Sequence, residues 1–196
     1  VNRIKDQGQI IISGNFISDS SGFGVLATTG GRGEAFATRN NNASIGFSNT
    51  PDDNPRPGSA SLLRNQNTDG LRPGAVISNN VVVNSGSGGI LFSGGTANNG
   101  QAPAPVPIGR IVNNTVVGDG TGSGIIVSSN ASPTLLNNLV SGFGTGFDID
   151  SSSVTAGTVV GANAFQNNTT NSTIPLAVSS VDISGEVFQD PARRIF

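Results

Sequence analysis

The chain is predicted to be all-β, a right-handed parallel β-helix of about five to seven coils with a long insertion in the early coils. Three observations lead there: a column of asparagines that recurs with apolar residues at fixed offsets, a period that tightens to about one strand triplet, and a composition poor in helix formers. Aligning on asparagine puts Asn15, Asn80, Asn114, Asn138 and Asn163 in one column. Three residues before them stand Ile12, Ile77, Ile111, Leu135 and Val160, and two residues after them Ile17, Val82, Val116, Val140 and Phe165. Further on, after Gly24, Gly89, Gly124 and Gly146, come Val25, Ile90, Ile125 and Phe147, followed two residues later by Ala27, Phe92, Val127 and Ile149. A spacing of two marks one face of a strand, so these columns are the expected core.

The last two intervals between the asparagines are 24 and 25 residues. Self-similarity at that period belongs to stacked coils, where inward side chains of one turn rest on those of the next about 4.8 Å away. One such turn cannot bury its face alone, so the unit is the stack. The 28 glycines, 11% charged residues and single lysine argue against helix. Two jobs are expected of each column asparagine: to take the left-handed conformation at a corner, and to bond its amide to the amides above and below. The glycines before the second apolar pair are expected to supply positive φ at the opposite corner. Phe23 and Phe143, each between glycines, are expected to stack on one another at that corner.

The segments "IISGNFISDSSGFGVLA", "VISNNVVVNSGSGGILF", "IVNNTVVGDGTGSGIIV" and "LLNNLVSGFGTGFDID" resemble the parallel β-helix repeats of the pectin-lyase-like superfamily, of the kind found in secreted bacterial repeat modules. The tail "VFQDPARRIF" is similar to the segment that closes such domains. The resemblance implies the fold; the superfamily holds lyases, hydrolases, phage spikes, adhesins and non-catalytic modules, so it implies no single activity.

One domain, 1–196, is expected. The first asparagine intervals, 65 and 34 residues, locate two excesses of chain. The longer, 30–74, holds five of the nine arginines and the string "PDDNPRPG"; two arrangements fit it, a charged flap over the side of the stack or one irregular extra coil. The shorter, 94–107, "GGTANNGQAPAPVP", reads as an extended proline-rich loop. Residues 172–196 read as a C-terminal closing segment. A chain opening on Val1 without Met is expected to be a mature or excised piece of something longer.

A formal net charge of −2 with no basic cluster argues against nucleic acid and anionic membrane as partners. The chain carries no apolar run long enough to span a bilayer as a helix, and it has no cysteine. With no histidine, imidazole catalysis and histidine-ligated metal are excluded. "NTDG" at 67–70, "DD" at 52–53 and "RIK" at 3–5 resemble motifs of the polygalacturonase family, which uses paired carboxylates. Their order is wrong for that family, and its GHG motif is missing. For a polysaccharide lyase, Arg64 and Arg72 with Asp69 are the nearest catalytic candidates, against surface ion pairing within the insertion. Asp148 and Asp150 flank the inward Ile149 and are the candidates for calcium, against a solvated strand exterior. "GDGTGSG" at 118–124 has the composition of a calcium loop but reads as a corner turn.

The leading expectation is therefore a non-catalytic extracellular or cell-surface module, structural or adhesive, without a cofactor. Its expected partners are itself or adjoining β-helix segments, paired end to end into a fibre, and surface polysaccharide. The alternative is a polysaccharide-active enzyme or a carbohydrate-binding β-helix.

Overall fold

A computed structural model describes residues 10–28, 71–94 and 106–185. They form sixteen strands and one short helix, arranged as three parallel sheets. The strands come in triplets, here called rungs. The first rung is β1 (Ile10–Ser13), β2 (Phe16–Ser18) and β3 (Phe23–Thr28); the second is β4 (Leu71–Ser78), β5 (Val81–Val83) and β6 (Gly88–Ser93). The third is β7 (Val106–Val112), β8 (Thr115–Val117) and β9 (Ser123–Ser128); the fourth is β10 (Ser132–Leu136), β11 (Leu139–Ser141) and β12 (Thr145–Ile149). After helix α1 (Ser151–Thr155) comes the fifth rung, β13 (Val159–Val160), β14 (Ala164–Gln166) and β15 (Thr170–Ser172), and then β16 (Val181–Asp182).

Each strand pairs with the strand three places along the chain. The first sheet runs β1-β4-β7-β10-β13, the second β16-β14-β11-β8-β5-β2, and the third β15-β12-β9-β6-β3. Registers match the sequence columns: Ile12 pairs with Ile77 and Ile77 with Ile111, Val82 with Val116 and Val116 with Val140, and Ile90 with Ile125. Strict register follows from burial, because a slip of one residue would turn every apolar side chain outward.

Ile77, Ile90, Ile111, Val116, Ile125, Val127, Leu135, Val140, Phe147 and Phe165 are wholly buried, and Val82, Phe92 and Ile149 nearly so. Phe147 meets Phe165 edge to face with centroids 4.9 Å apart. Three expected core positions are only half-buried: Ile12 and Ile17, in the first rung, and Val160, in the fifth. The reason is position, since a terminal rung has one stacking neighbour among the described residues instead of two. The core also takes in residues outside the columns: Ala75, Ala131 and Phe143. Val83 and Val117 form a second buried cluster with Val81 and Leu139, on the face of the second sheet opposite the inward Val82 and Val116.

The glycines before the third strands do not have positive φ. Their role is space. A Cβ on Gly24 would meet Val82, one on Gly89 would meet Val116, one on Gly124 would meet Val140, and one on Gly146 would meet Phe165. In every case the obstacle is the inward residue of the second sheet in the next rung, so the glycine column is where two sheets come closest. Phe23 and Phe143 do not stack on one another. Phe23 lies in the first rung against Gly88, whereas Phe143 sits in the fourth against Gly118 and Gly124.

The ends of both expected insertions are strand. Leu71–Pro73 pair with Val106–Ile108, ahead of the point where β1 and β10 begin to pair. The prolines at 73 and 107 therefore stand in an overhang, where a missing N–H does not break a central ladder. The remainder of 30–74 and 94–107 lies outside the described residues. So does the closing segment beyond Gly185; its described part ends β15, packs Ile174 and Leu176 on the core and adds β16.

These contacts make two neighbouring glycines respond oppositely to the same substitution. Gly124→Ala forces a methyl against Val140 and within 2.8 Å of the Gly146 carbonyl oxygen; it should cost about 1–3 kcal/mol or more in urea unfolding. Gly22→Ala meets nothing within 4 Å at ordinary φ and should be neutral, or stabilising by about 0.4–1 kcal/mol.

Candidate functional site

The most highly organised polar feature is the corner between the first and second sheets. Each rung reads there as a turn residue, the column asparagine, a three-residue strand and another turn residue. Positive φ falls on the residue before the column, Gly14 (70°), Asn79 (54°), Asn113 (56°) and Asn137 (54°). It falls again after the short strand, at Asp19 (55°), Asn84 (50°), Gly142 (73°) and Asn167 (51°). None of the five column asparagines has positive φ. The two jobs expected of one residue are thus divided: glycine or the first asparagine makes the bend, and the column asparagine makes the ladder.

Asn80, Asn114, Asn138 and Asn163 are buried, while Asn15, in the first rung, is exposed. The Asn114 Oδ1 accepts from the Asn80 main-chain N–H at 3.1 Å and from the Asn80 Nδ2 at 3.0 Å. In turn the Asn114 Nδ2 donates to Asn138 Oδ1 (3.0 Å), to the Ile77 carbonyl (2.9 Å) and to the Val112 carbonyl (3.1 Å). The same pattern joins Asn15 to Asn80 and Asn138 to Asn163. All donors point one way along the stack, so the ladder is directional. At its far end Ser180 stands in the sixth place, next to Val181, and its hydroxyl donates to the Gly161 carbonyl. Shorter side-chain contacts cross the rungs elsewhere: Ser13 with Ser78, Ser93 with Ser128, and Ser141 with Gln166.

The calcium candidates are drawn into local structure. Asp150 is the N-cap of α1: its carboxylate accepts from the main-chain N–H groups of Ser153 (2.7 Å) and Ser129 (2.8 Å) and from the Ser152 hydroxyl (2.8 Å). Burial works against the ionised form, but those donors outweigh it and hold the carboxyl below its ordinary value. Asp148 faces away from the core beside Ser123, whose hydroxyl is 3.5 Å from its carboxylate. In the 118–124 turn, Asp119 accepts from the Thr121 hydroxyl (2.8 Å) and N–H (3.1 Å), and these hold its carboxyl down. Among the described residues no three carboxylates gather into a metal-binding group.

Of the lyase candidates, Arg64 and Asp69 lie outside the described residues, and Arg72 is placed in β4 by its main chain alone. A shallow open depression of about 250 Å³ lies at the ladder corner, lined by Asn137, Asn138, Leu139, Asn163, Ser179 and Val181 among others. No helix among the described residues is long and apolar enough to cross a membrane. No protein-family model, curated protein or solved structure matches the chain.

The second turn column, Asp19, Asn84, Gly142 and Asn167, went unread in the sequence. Its signal was there: the residue after each short strand is Asp, Asn or Gly, the types that tolerate positive φ. Helix α1 was also missed, although Asp150 followed by three serines is a capping pattern.

The two asparagines of one corner should separate by substitution. Asn114→Ala strips both Asn80 donors of their shared acceptor in a buried site and should cost about 2–5 kcal/mol. Asn113→Ala, which only disfavours the bend, should cost about 1 kcal/mol, and Asn113→Gly close to nothing; urea midpoints read all three. For Asp150, a depressed folded-state pKa means stability that is present above the unfolded value of about 3.9 and lost as pH falls through the folded one. Asp150→Ala should lower stability at neutral pH and flatten the acid limb of the stability–pH curve, measured by thermal unfolding from pH 7 downward.

Proposed function

We propose that the three sheets close into a right-handed parallel β-helix of the pectin-lyase-like kind, and that the chain is a non-catalytic extracellular module, structural or adhesive, of a secreted or surface protein. The observation that carries this reading is the asparagine ladder, which joins five successive rungs by side-chain amides at one corner. A closed coil of three sheets puts every inward column on one axis, as the shared core cluster requires. Right-handedness follows from the rule that crossovers between parallel strands of one sheet take that hand in about 98% of cases.

Support for a non-catalytic role is chemical. The inward columns are packed solid, and the one depression described is smaller than the roughly 300–1,000 Å³ of ordinary ligand sites. Asp119 and Asp150 are each bonded into their own turns. The neutral, amide-rich, cysteine-free surface suits exposure outside the cell, with adjoining β-helix segments and surface polysaccharide as partners.

The discriminating experiment is turnover. Incubated with polyuronates, with and without added calcium, the protein should release neither unsaturated uronate, followed by ultraviolet absorbance, nor new reducing ends. Release of either product above a heat-denatured control overturns the non-catalytic reading.

A further inference from the structure

The first rung differs from the others in how it is held. Its strands pair in full register with the second rung, β1 on β4, β2 on β5 and β3 on β6. Among the described residues, all of its strand partners lie there. The connection from the third strand of one rung to the first strand of the next is 12 residues between the second and third rungs, three between the third and fourth, and nine between the fourth and fifth. Between the first and second rungs it is 42 residues. A chain of that length spans about 35 Å root-mean-square as a random coil, several times the rung spacing of about 4.8 Å. An inner rung cannot leave its place without dragging its neighbours along; the first can.

We propose that the first rung, Ile10–Thr28, exchanges between copies of this chain, seating β1, β2 and β3 of one molecule on β4, β5 and β6 of another. The surface it leaves demands a replacement, because Ile77, Val82 and Ile90 beneath it are buried to within 1% and Asn80 Oδ1 takes both its donors from Asn15. The rung itself gives up less, for Ile10, Phe16 and Leu26 are more than half exposed and Ile12 and Ile17 half-buried. Only a strand triplet with an asparagine between its first and second strands, and isoleucine or valine on either side, restores those contacts; the first rung of a second copy does so residue for residue. Every rung-to-rung contact is then the same in the closed and exchanged forms, so the balance rests on the effective concentration set by the connection and on total protein. Two copies can close reciprocally, or exchange can pass from copy to copy as an open chain. The inference needs the strand pairing but not the extracellular role, so polysaccharide turnover would leave it standing.

The test uses the absence of cysteine from the native sequence. Ser13 and Ser78 are register partners with hydroxyls 3.1 Å apart, and strands at about 4.8 Å fall within the Cα separations a disulfide spans. Chains carrying Ser13→Cys alone and Ser78→Cys alone are unfolded, mixed, refolded at rising protein concentration and oxidised, then separated under denaturing, non-reducing conditions. A disulfide-linked dimer is expected in the mixture, increasing with concentration and in excess of that given by either chain alone. No excess at any concentration overturns the proposal. The double variant Ser13→Cys/Ser78→Cys, refolded dilute, should give an intrachain bond and a monomer; failure to form it overturns the rung pairing on which the proposal stands.

Discussion

A buried primary amide carries four hydrogen-bonding sites and no charge, and the fold depends on filling them at one corner of every rung. Asn114 does so with no water: two donors come to its oxygen from the rung before, and its nitrogen reaches one amide in the rung after and two main-chain carbonyls. The bonds are short range and directional, so they fix the vertical spacing and the register of a corner that side-chain packing alone would leave loose. A buried asparagine facing anything other than another asparagine would keep unpaired donors at about 1–3 kcal/mol each. The residue type is therefore dictated by its copy in the next rung, and a solitary change is penalised twice.

That constraint propagates. To put an amide inward at each level, the chain must turn just before it and again three residues beyond, which is why each short strand of the second sheet is bracketed by residues with positive φ. The bracket keeps the strand at three residues, with one inward side chain, Val82, Val116, Val140 or Phe165. The same inward side chain then occupies the space where the glycine column of the third sheet lacks a Cβ. Amide, bend, valine and glycine are thus four consequences of one corner geometry, repeated at the strand separation.

Much of this was legible because columns are a one-dimensional signal: a residue that must sit on its own copy recurs at the period, and Asn80, Asn114 and Asn138 did so. The causes were harder to read than the columns. Asn79 and Asn80 are the same letter, and only backbone angles tell the bender from the ladder. Glycine stands equally for positive φ and for missing volume, and Gly124 has the second reason where the sequence suggested the first. Val83 and Val117 alternate as outward residues and were passed over, since strand periodicity reports which face a residue is on but not whether that face is covered. Asp148 and Asp150 share a spacing with calcium sites, yet whether a carboxylate binds metal or caps a helix is settled by the N–H groups around it.

Charge distribution completes the physical picture. Of the 22 Lys, Arg, Asp and Glu residues, only Asp19, Arg72, Arg110, Asp119, Asp148, Asp150 and Asp182 fall in the described rungs and their turns; the remaining fifteen are in 1–9, 29–70 and 186–196. Stacking explains the separation. A charged side chain placed in a repeating column would face its like at about 4.8 Å in the next rung, where repulsion costs more than a serine or threonine ladder returns. The column is therefore held by neutral hydrogen bonds and apolar contact, which salt screens little. What electrostatic recognition the chain has is concentrated in the segments between and beyond the rungs, so a partner drawn by charge meets those segments first and the stack behind them serves as their support.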